Sequence, residues 1–518
     1  MSEPLRIGFA GTDARTLLSA QVVSTASSET DSASYRGAVI RGTSSMPVLA
    51  GPDCYNWPVD FFPVEENTTQ AYAQAILDAF RRGDLDYVLP LPEALQYNGI
   101  VDLVREGGYG DRIAGFDSSC AFIEGDKAAC RRLCQEAGVP TADAWEVVDA
   151  RSFPRVLYTC LDYLHRYGGV VLKYPYSASR KGARIILDAW QIKEVYDTLI
   201  RDYKKDYKSI CGNRDWPLLI ESRMSGVEIS FTILVDAAGQ FRILPTALDY
   251  PERYPGPAGK DNPITGGMGS VSPHPFETEE LIEMVAERIA RPFISKLQEE
   301  GMLRPCVLYP GCIVSFREDA NRGIRPLDIR VCEFNIRPGE PEFQPVVRRL
   351  RNLGALIRAM FQSELHRVEP EVRQDQISLC AALVTGPGGP DGQRGYPWSV
   401  TKYEPVEIDF KYLKNKNLQL VPSGMGHSLE SGLYSDGTRV AYLNANATVQ
   451  DPSRRGEIAE KLRHRIHNAH HSGKVRVIPR EEPQGNRLDL RQDIGTHYQI
   501  ADELFAATAA DNSSRGSN

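Results

Sequence analysis

Residues 331–350 read VCEFNIRPGEPEFQPVVRRL, an apolar lead-in that ends in Glu333, Phe334 and Asn335. On a strand, alternation projects Glu333 and Asn335 to one face and turns Phe334 to the other. Two hard oxygen donors aimed at one point suit Mg²⁺, which takes one or two carboxylates and leaves its remaining positions to water and substrate phosphates. Arg337 adds a planar, permanently charged fork suited to a carboxylate or a phosphate.

Further upstream, Lys127 opens a helix, Lys173 ends a strand, and Glu221 and Glu228 lie on two neighbouring strands. Between the last two features and Lys173, a loop with Lys181-Gly182 joins two strands in the manner of a flap. Phosphoryl transfer needs this inventory: cations on the phosphates, a metal between them, acceptors for the nucleoside and a cover that excludes water. The segment 249–275 reads as a long strandless loop, with Thr265-Gly266-Gly267-Met268-Gly269 inside it. Its glycines predict backbone N–H groups that approach a ligand.

The elements that must position these groups alternate along the chain. Residues 6–10 form a strand, the turn Gly11-Thr12-Asp13-Ala14-Arg15 follows, and a helix begins near Thr16. Tyr72, Ile76, Leu77 and Phe80 share a helix face, and residues 87–90 are a strand that leads into Leu91-Pro92-Glu93. This order predicts a doubly wound, mainly parallel sheet over 1–118. A core spanning 119–350 follows, with a mobile lid over about 140–222. A smaller αβ domain occupies 351–505, and 506–518 reads as a disordered tail.

The bulk numbers set limits. The 518 residues are 42% hydrophobic and 25% charged, as in an ordinary globular protein. A net charge of −8 argues against binding nucleic acid through a basic surface. No apolar run approaches a membrane span and no leader is read, so a cytoplasmic protein is expected. Ten scattered cysteines lack paired metal-ligand spacing. His464, His467 and His471 recur on one helix and read as a solvated basic face rather than a metal site.

Taken together, Glu124-Gly125-Asp126-Lys127, residues 262–269 (NPITGGMG), residues 333–342 (EFNIRPGEPE) and Arg491-Gln492-Asp493-Ile494-Gly495 give the chain a family likeness. It resembles the ATP-grasp ligases, most closely the phosphoribosylamine–glycine ligases, along nearly its whole length. The resemblance implies an α/β ATP-grasp fold and a carboxylate–amine ligase that forms an amide through an acyl phosphate, releasing ADP and phosphate. It implies ATP with Mg²⁺ (or Mn²⁺), a small carboxylic or amino acid and an amine as partners, and a monomer or homodimer. Lys127, Lys173 and Lys181 would then serve the nucleotide phosphates, Glu221 the adenine, Glu228 the ribose, and Glu333 and Asn335 the metal. Arg337 and Gly267 would act on the reacting groups, with Gly11, Glu93, Asp249, Gly266, Met268 and Gly339 contacting substrate.

The departures are uneven. Nucleotide and metal positions are kept, while the family's Gly-Gly-Arg-Glu-His turn has become Gly11-Thr12-Asp13-Ala14-Arg15. Asp13 puts an anion where a phosphate would want free N–H groups. Leu91-Pro92-Glu93 and Leu248-Asp249-Tyr250-Pro251 also differ, and Pro338 and Glu340 replace the family's usual Phe and Asp. The sequence therefore predicts a ligase of this type with a different amine. The alternatives are a true phosphoribosylamine–glycine ligase and a non-catalytic ATP-binding protein.

Overall fold

The computed structural model describes residues 3–42, 57–176, 182–259, 261–319, 323–387, 394–400, 402–428, 432–437, 439–482 and 484–498. The expectations placed on Lys181, most of its loop and the tail lie outside these residues. Among the described residues no helix is long and apolar enough to cross a membrane.

The first unit is a parallel sheet of β1 (Leu5–Ala10), β2 (Tyr35–Gly42), β3 (Asp60–Val64) and β4 (Tyr87–Pro90), in the order β3-β2-β1-β4. Its strands are short apolar runs joined through helices Ala14–Thr25 and Thr69–Arg82, the connection that parallel neighbours require. Thr68 caps the second helix at Ala71 N, and Gly83, with φ +75°, ends it in the left-handed region. The order reverses between β1 and β4, so the turns after these two strands open into one crevice.

Four antiparallel strands follow: β5 (Trp145–Asp149), β6 (Val170–Lys173), β7 (Ala183–Ile186) and β8 (Pro217–Ser222), in the order β5-β8-β6-β7. Helices Phe153–Tyr167 and Gln191–Cys211 supply the core of this unit, where Val156, Cys160, Tyr196, Leu199 and Tyr207 pack beneath the sheet.

A second antiparallel sheet holds β9 (Val227–Ser230), β10 (Ile233–Val235), β11 (Phe241–Ile243), β14 (Cys306–Asp319) and β15 (Gly323–Asn335). Two further strands, β12 (Leu248–Asp249) and β13 (Gly269–Ser272), leave this region. They pair antiparallel with each other, and β13 pairs with β16 (Gln376–Thr385) in the sheet that also carries Leu418–Pro422 and Arg439–Thr448. The 249–275 segment is therefore not strandless. Gly-Ser-Val-Ser carries little strand propensity of its own, and its ladder partner lies more than a hundred residues later.

Met268, expected to meet substrate, is fully buried instead. It packs in the cluster with Leu17, Phe343, Val346 and Leu356, its N–H donates to Tyr250 O and its carbonyl accepts from Ala382 N. It ties the glycine loop to the body of the protein. Met268→Ala should cost about 2–5 kcal/mol of stability, and Met268→Leu less than about 1.5 kcal/mol, in urea unfolding followed by circular dichroism.

Candidate active site

The β14–β15 hairpin presents Glu333 and Asn335, the pair expected to hold a metal. Phe334 turns inward and stacks on Phe293 with ring centroids 3.8 Å apart, which leaves Glu333 and Asn335 on the opposite face. Asn335 Nδ2 donates to Tyr309 O at 3.2 Å, fixing the amide. Glu333 and Glu228 converge: the position a Cβ would take on Gly311 lies 3.7 Å from Glu333 Cγ and 3.9 Å from Glu228 Oε1. This donor set of carboxylate and amide oxygens fits a hard cation that takes its other ligands from phosphate and water. Among the described residues no cluster of three or more His, Cys, Asp or Glu side chains makes a metal cage of its own.

Lys127 begins the helix Lys127–Glu136, whose N-terminus Asp126 caps through Ala128 N and Ala129 N. Its ammonium lies 4.0 Å from Glu333 Oε2, and burial holds it below its ordinary range against the pull of Glu333. Lys173, at the end of β6, lies 2.6 Å from Glu221 Oε2 and donates to Cys332 O at 3.2 Å. Glu221, which the family resemblance would give to the adenine, is instead only 1% exposed and is held between Lys173 and a second cation. Arg131 Nε donates to Glu221 Oε1 at 2.6 Å, and its Nη1 and Nη2 donate to Val331 O and Cys332 O at 2.9 and 3.0 Å. Burial raises the Glu221 carboxyl, but Arg131 and then Lys173 outweigh it and hold the group below the usual carboxylate range. Arg131 was missed from sequence, although it lies four residues after Lys127 and so on the same helix face. A space of about 10 Å³, room for a single water, lies among Lys127, Arg131 and Glu333.

Beyond Asn335 the chain meets the N-terminal sheet. Arg337 sits between two carboxylates, Nε at 3.4 Å from Glu93 Oε2 and Nη2 at 3.3 Å from Glu124 Oε1. Burial lowers this guanidinium and its carboxylate neighbours more than restore it, leaving it raised. Glu124 also accepts from Ile336 N at 2.9 Å, and burial raises its carboxyl against the opposing effect of Arg337. Gly339 passes so close to Tyr309 that a Cβ would overlap the hydroxyl, and that hydroxyl donates to Glu342 Oε1 at 2.7 Å.

The glycine loop does not offer its N–H groups. Thr265 N donates to Pro251 O, Gly266 N to Tyr396 Oη and Gly267 N to Thr265 Oγ1. The expected ligand cradle is therefore corrected to a packed loop. Gly267, with φ +97°, is needed because a Cβ would overlap Pro341 and lie 3.1 Å from Asp249 Oδ1. Arg439 clamps the loop from the C-terminal sheet, donating to Gly266 O and, at 3.3 Å, to Gly267 O. Arg439 had no local signal, since its partners lie over 170 residues earlier.

At the crevice between β1 and β4, Gly11 packs directly against Pro92. A cleft of about 480 Å³ opens there, lined by Thr12, Asn67, Thr68, Pro92 and Asn98 among others. Asp13 caps the helix Ala14–Thr25 by accepting from Thr16 N at 3.3 Å, and Arg15 Nε donates to Asp13 Oδ2 at 3.1 Å. Arg15 Nε also lies 3.2 Å from Glu340 Oε2 and its Nη1 donates to Pro338 O, joining the first turn to the 333–342 motif. Burial raises Asp13, but Arg15 and Arg41 outweigh it and hold the carboxyl below its ordinary value. The anion at this helix N-terminus is thus Asp13 itself.

The likeness to solved structures fixes the fold. A phosphoribosylamine–glycine ligase from Thermotoga maritima superposes with a TM-score of 0.66 at 18% identity, covering 95% of this chain and 100% of that one. The biotin carboxylase domain of a 2-oxoglutarate carboxylase from Hydrogenobacter thermophilus gives 0.57 at 15% identity, with 90% of each chain covered. Residues 125–343 match the family model described as phosphoribosylglycinamide synthetase, ATP-grasp (A) domain. The protein is an ATP-grasp enzyme of the C–N ligase class. Among curated relatives, a phosphoribosylamine–glycine ligase from Pseudomonas aeruginosa is 30% identical over 356 residues, 68% of this chain and 72% of the relative. One from Rhodopirellula baltica is 25% identical over 382 residues, 73% of this chain and 82% of the relative. The chain belongs to the phosphoribosylamine–glycine ligase family.

Glu340 provides a pH test of this geometry. Burial and the neighbouring Asp13 push its carboxyl from an ordinary 4.5 up to about 7, against Arg15, Arg439 and a hydrogen bond from Gln344. Between those two values the native state keeps a proton that the unfolded chain has released. The stability this contributes is complete below the ordinary value and is lost as pH rises through 7. From about pH 5 to about pH 8, the urea midpoint of the wild type should therefore fall relative to that of Glu340→Gln.

Proposed function

We propose that the protein is an ATP- and Mg²⁺-dependent ligase that joins the carboxylate of an amino acid to the amine of phosphoribosylamine or a close analogue. The observation that carries this reading is the gathering of charged groups around the end of β15: Lys127 lies 4.0 Å from Glu333, Lys173 holds the Cys332 carbonyl just before it, and Glu228 and Glu333 meet over Gly311, with Asn335 on the same strand face. When bound, Mg²⁺-ATP supplies the phosphoryl group that activates the carboxylate.

The chain's own groups would do the rest. Lys127 and Lys173 neutralise charge on the phosphates, and Glu333 and Asn335, with Glu228 beside them, hold the cation. Arg337, raised and kept charged by Glu93 and Glu124, offers its fork to the carboxylate or to the acyl phosphate formed from it. No covalent bond to the protein is needed, so positioning and charge neutralisation provide the rate enhancement.

Glycine and phosphoribosylamine are the reading supported by the names of the relatives, rather than the changed amine expected from sequence. A second reading, an amine without the phosphate, keeps one observation in its favour. Asp13 occupies the helix N-terminus beside the cleft, where its charge would oppose a phosphate. Phosphate release from ATP should be measured with glycine and phosphoribosylamine, and then with unphosphorylated amines and other amino acids. Turnover confined to the first pair supports the main reading; turnover only with an unphosphorylated amine supports the second. With the productive pair, Glu333→Ala should lower phosphate release by more than about a hundredfold while the thermal unfolding transition stays cooperative.

A further inference from the structure

Four groups next to Glu333 form a closed ring. Lys173 Nζ meets Glu221 Oε2 at 2.6 Å, Glu221 Oε1 accepts from Arg131 Nε at 2.6 Å, Arg131 Nη2 donates to Cys332 O at 3.0 Å, and Lys173 Nζ donates to that same carbonyl at 3.2 Å. The three side chains are buried: Arg131 is 3%, Glu221 1% and Lys173 7% exposed. The ring joins four elements: the helix Lys127–Glu136, strands β6 and β8 of the first antiparallel sheet, and the end of β15.

Its charge count is unequal. Two cations share one carboxylate, so the ring carries an excess of one positive charge. A buried ion pair of Lys173 with Glu221 alone would be neutral and would offer little to a phosphate. Arg131 changes this by competing for Glu221. Its planar fork is well suited to the task, because the same guanidinium reaches the carboxylate and both carbonyls preceding Glu333.

We propose that Arg131 is a positioning residue for nucleotide binding: by engaging Glu221 it leaves the charge of Lys173 uncompensated for the phosphates, and by holding Val331 and Cys332 it fixes the strand end that presents Glu333. The proposal rests on the ATP reading above and adds a residue and a charge balance to it. It makes a prediction of opposite signs. Removing Arg131 neutralises the ring, and removing the charge of Glu221 as well returns the excess to Lys173.

The test is the affinity of the full-length protein for Mg²⁺ and a non-hydrolysable ATP analogue, measured by titration calorimetry, with thermal unfolding as a check on folding. Arg131→Met should weaken binding by about ten- to a hundredfold. Arg131→Met with Glu221→Gln should bind more tightly than Arg131→Met alone, a recovery that simple loss of packing would not give. Arg131→Lys, which keeps the charge but lacks the fork, should retain more affinity for the analogue than Arg131→Met does. Where Arg131→Met fails to fold, Arg131→Lys is compared with the wild type instead: a loss smaller than about a hundredfold supports the proposal and a larger one overturns it. The proposal is overturned if Arg131→Met binds as the wild type does, if the double variant binds more weakly than the single one, or if Arg131→Lys loses as much as Arg131→Met. A wild type that does not bind the analogue would overturn the ATP reading and this proposal together; wild-type binding with unaltered variants would overturn this proposal alone.

Discussion

The site depends on how one buried carboxylate is compensated. Glu221 is almost wholly removed from water, and an isolated charge there would cost several kcal/mol. The chain meets that demand with Arg131 from a helix and Lys173 from a neighbouring strand, and further donors of the two reach Val331 O and Cys332 O. Because each partner belongs to a different element, satisfying the charge also sets the spacing between Lys173 and the end of β15 that carries Glu333 and Asn335. Electrostatics and architecture are here the same constraint.

The cluster around the first turn follows a different rule. Asp13, Arg15, Glu340 and Arg439 are brought together from the first turn, the 333–342 motif and the C-terminal sheet. Their charges compete within a buried space, which pushes Glu340 up while Asp13 is held down. Binding energy in such a place is sensitive to which groups are ionised, so small changes of residue alter what the adjoining crevice accepts. Around Glu221 the charges are instead held by fixed partners on several elements, each with little freedom to move. This division accounts for a sequence that matches its family at one end of the site and departs from it at the other.

Much of this was legible in the residues. Strands 87–90 and 170–173 were found with their true ends, and the alternation at Glu333 and Asn335 gave the correct shared face. These features are local: an apolar run, a turn residue, a period of two. What escaped was set by partners distant in sequence. The short strand Gly269–Ser272 exists because β16 offers it a ladder, and Arg439 reaches Gly266 from another sheet. The glycines of 266–269 were read as a cradle for a ligand, yet their surroundings show close packing against Pro341, Cys380 and Ile494. A glycine signals that space is short, but not whether a ligand or another part of the chain fills it. Met268 failed for the same reason, since a motif position carries no mark of burial. Arg131 could have been found from its helical spacing to Lys127; Arg15's link to Glu340 could not.

The pairing of β13 with β16 has a consequence for how the chain can be divided. By sequence, residue 350 separates a nucleotide-binding segment from a smaller C-terminal one. By hydrogen bonding, β12 and β13 lie on the far side of that line from the sheet they complete. A fragment beginning after 350 would present the long apolar strand Gln376–Thr385 with much of one edge stripped, a template for association with other chains. The matching fragment ending there would keep two orphan strands. The C-terminal portion is therefore not an appendage that evolution or an experimenter can exchange freely: any graft must carry β12, β13 and the glycine loop between them that Arg439 clamps.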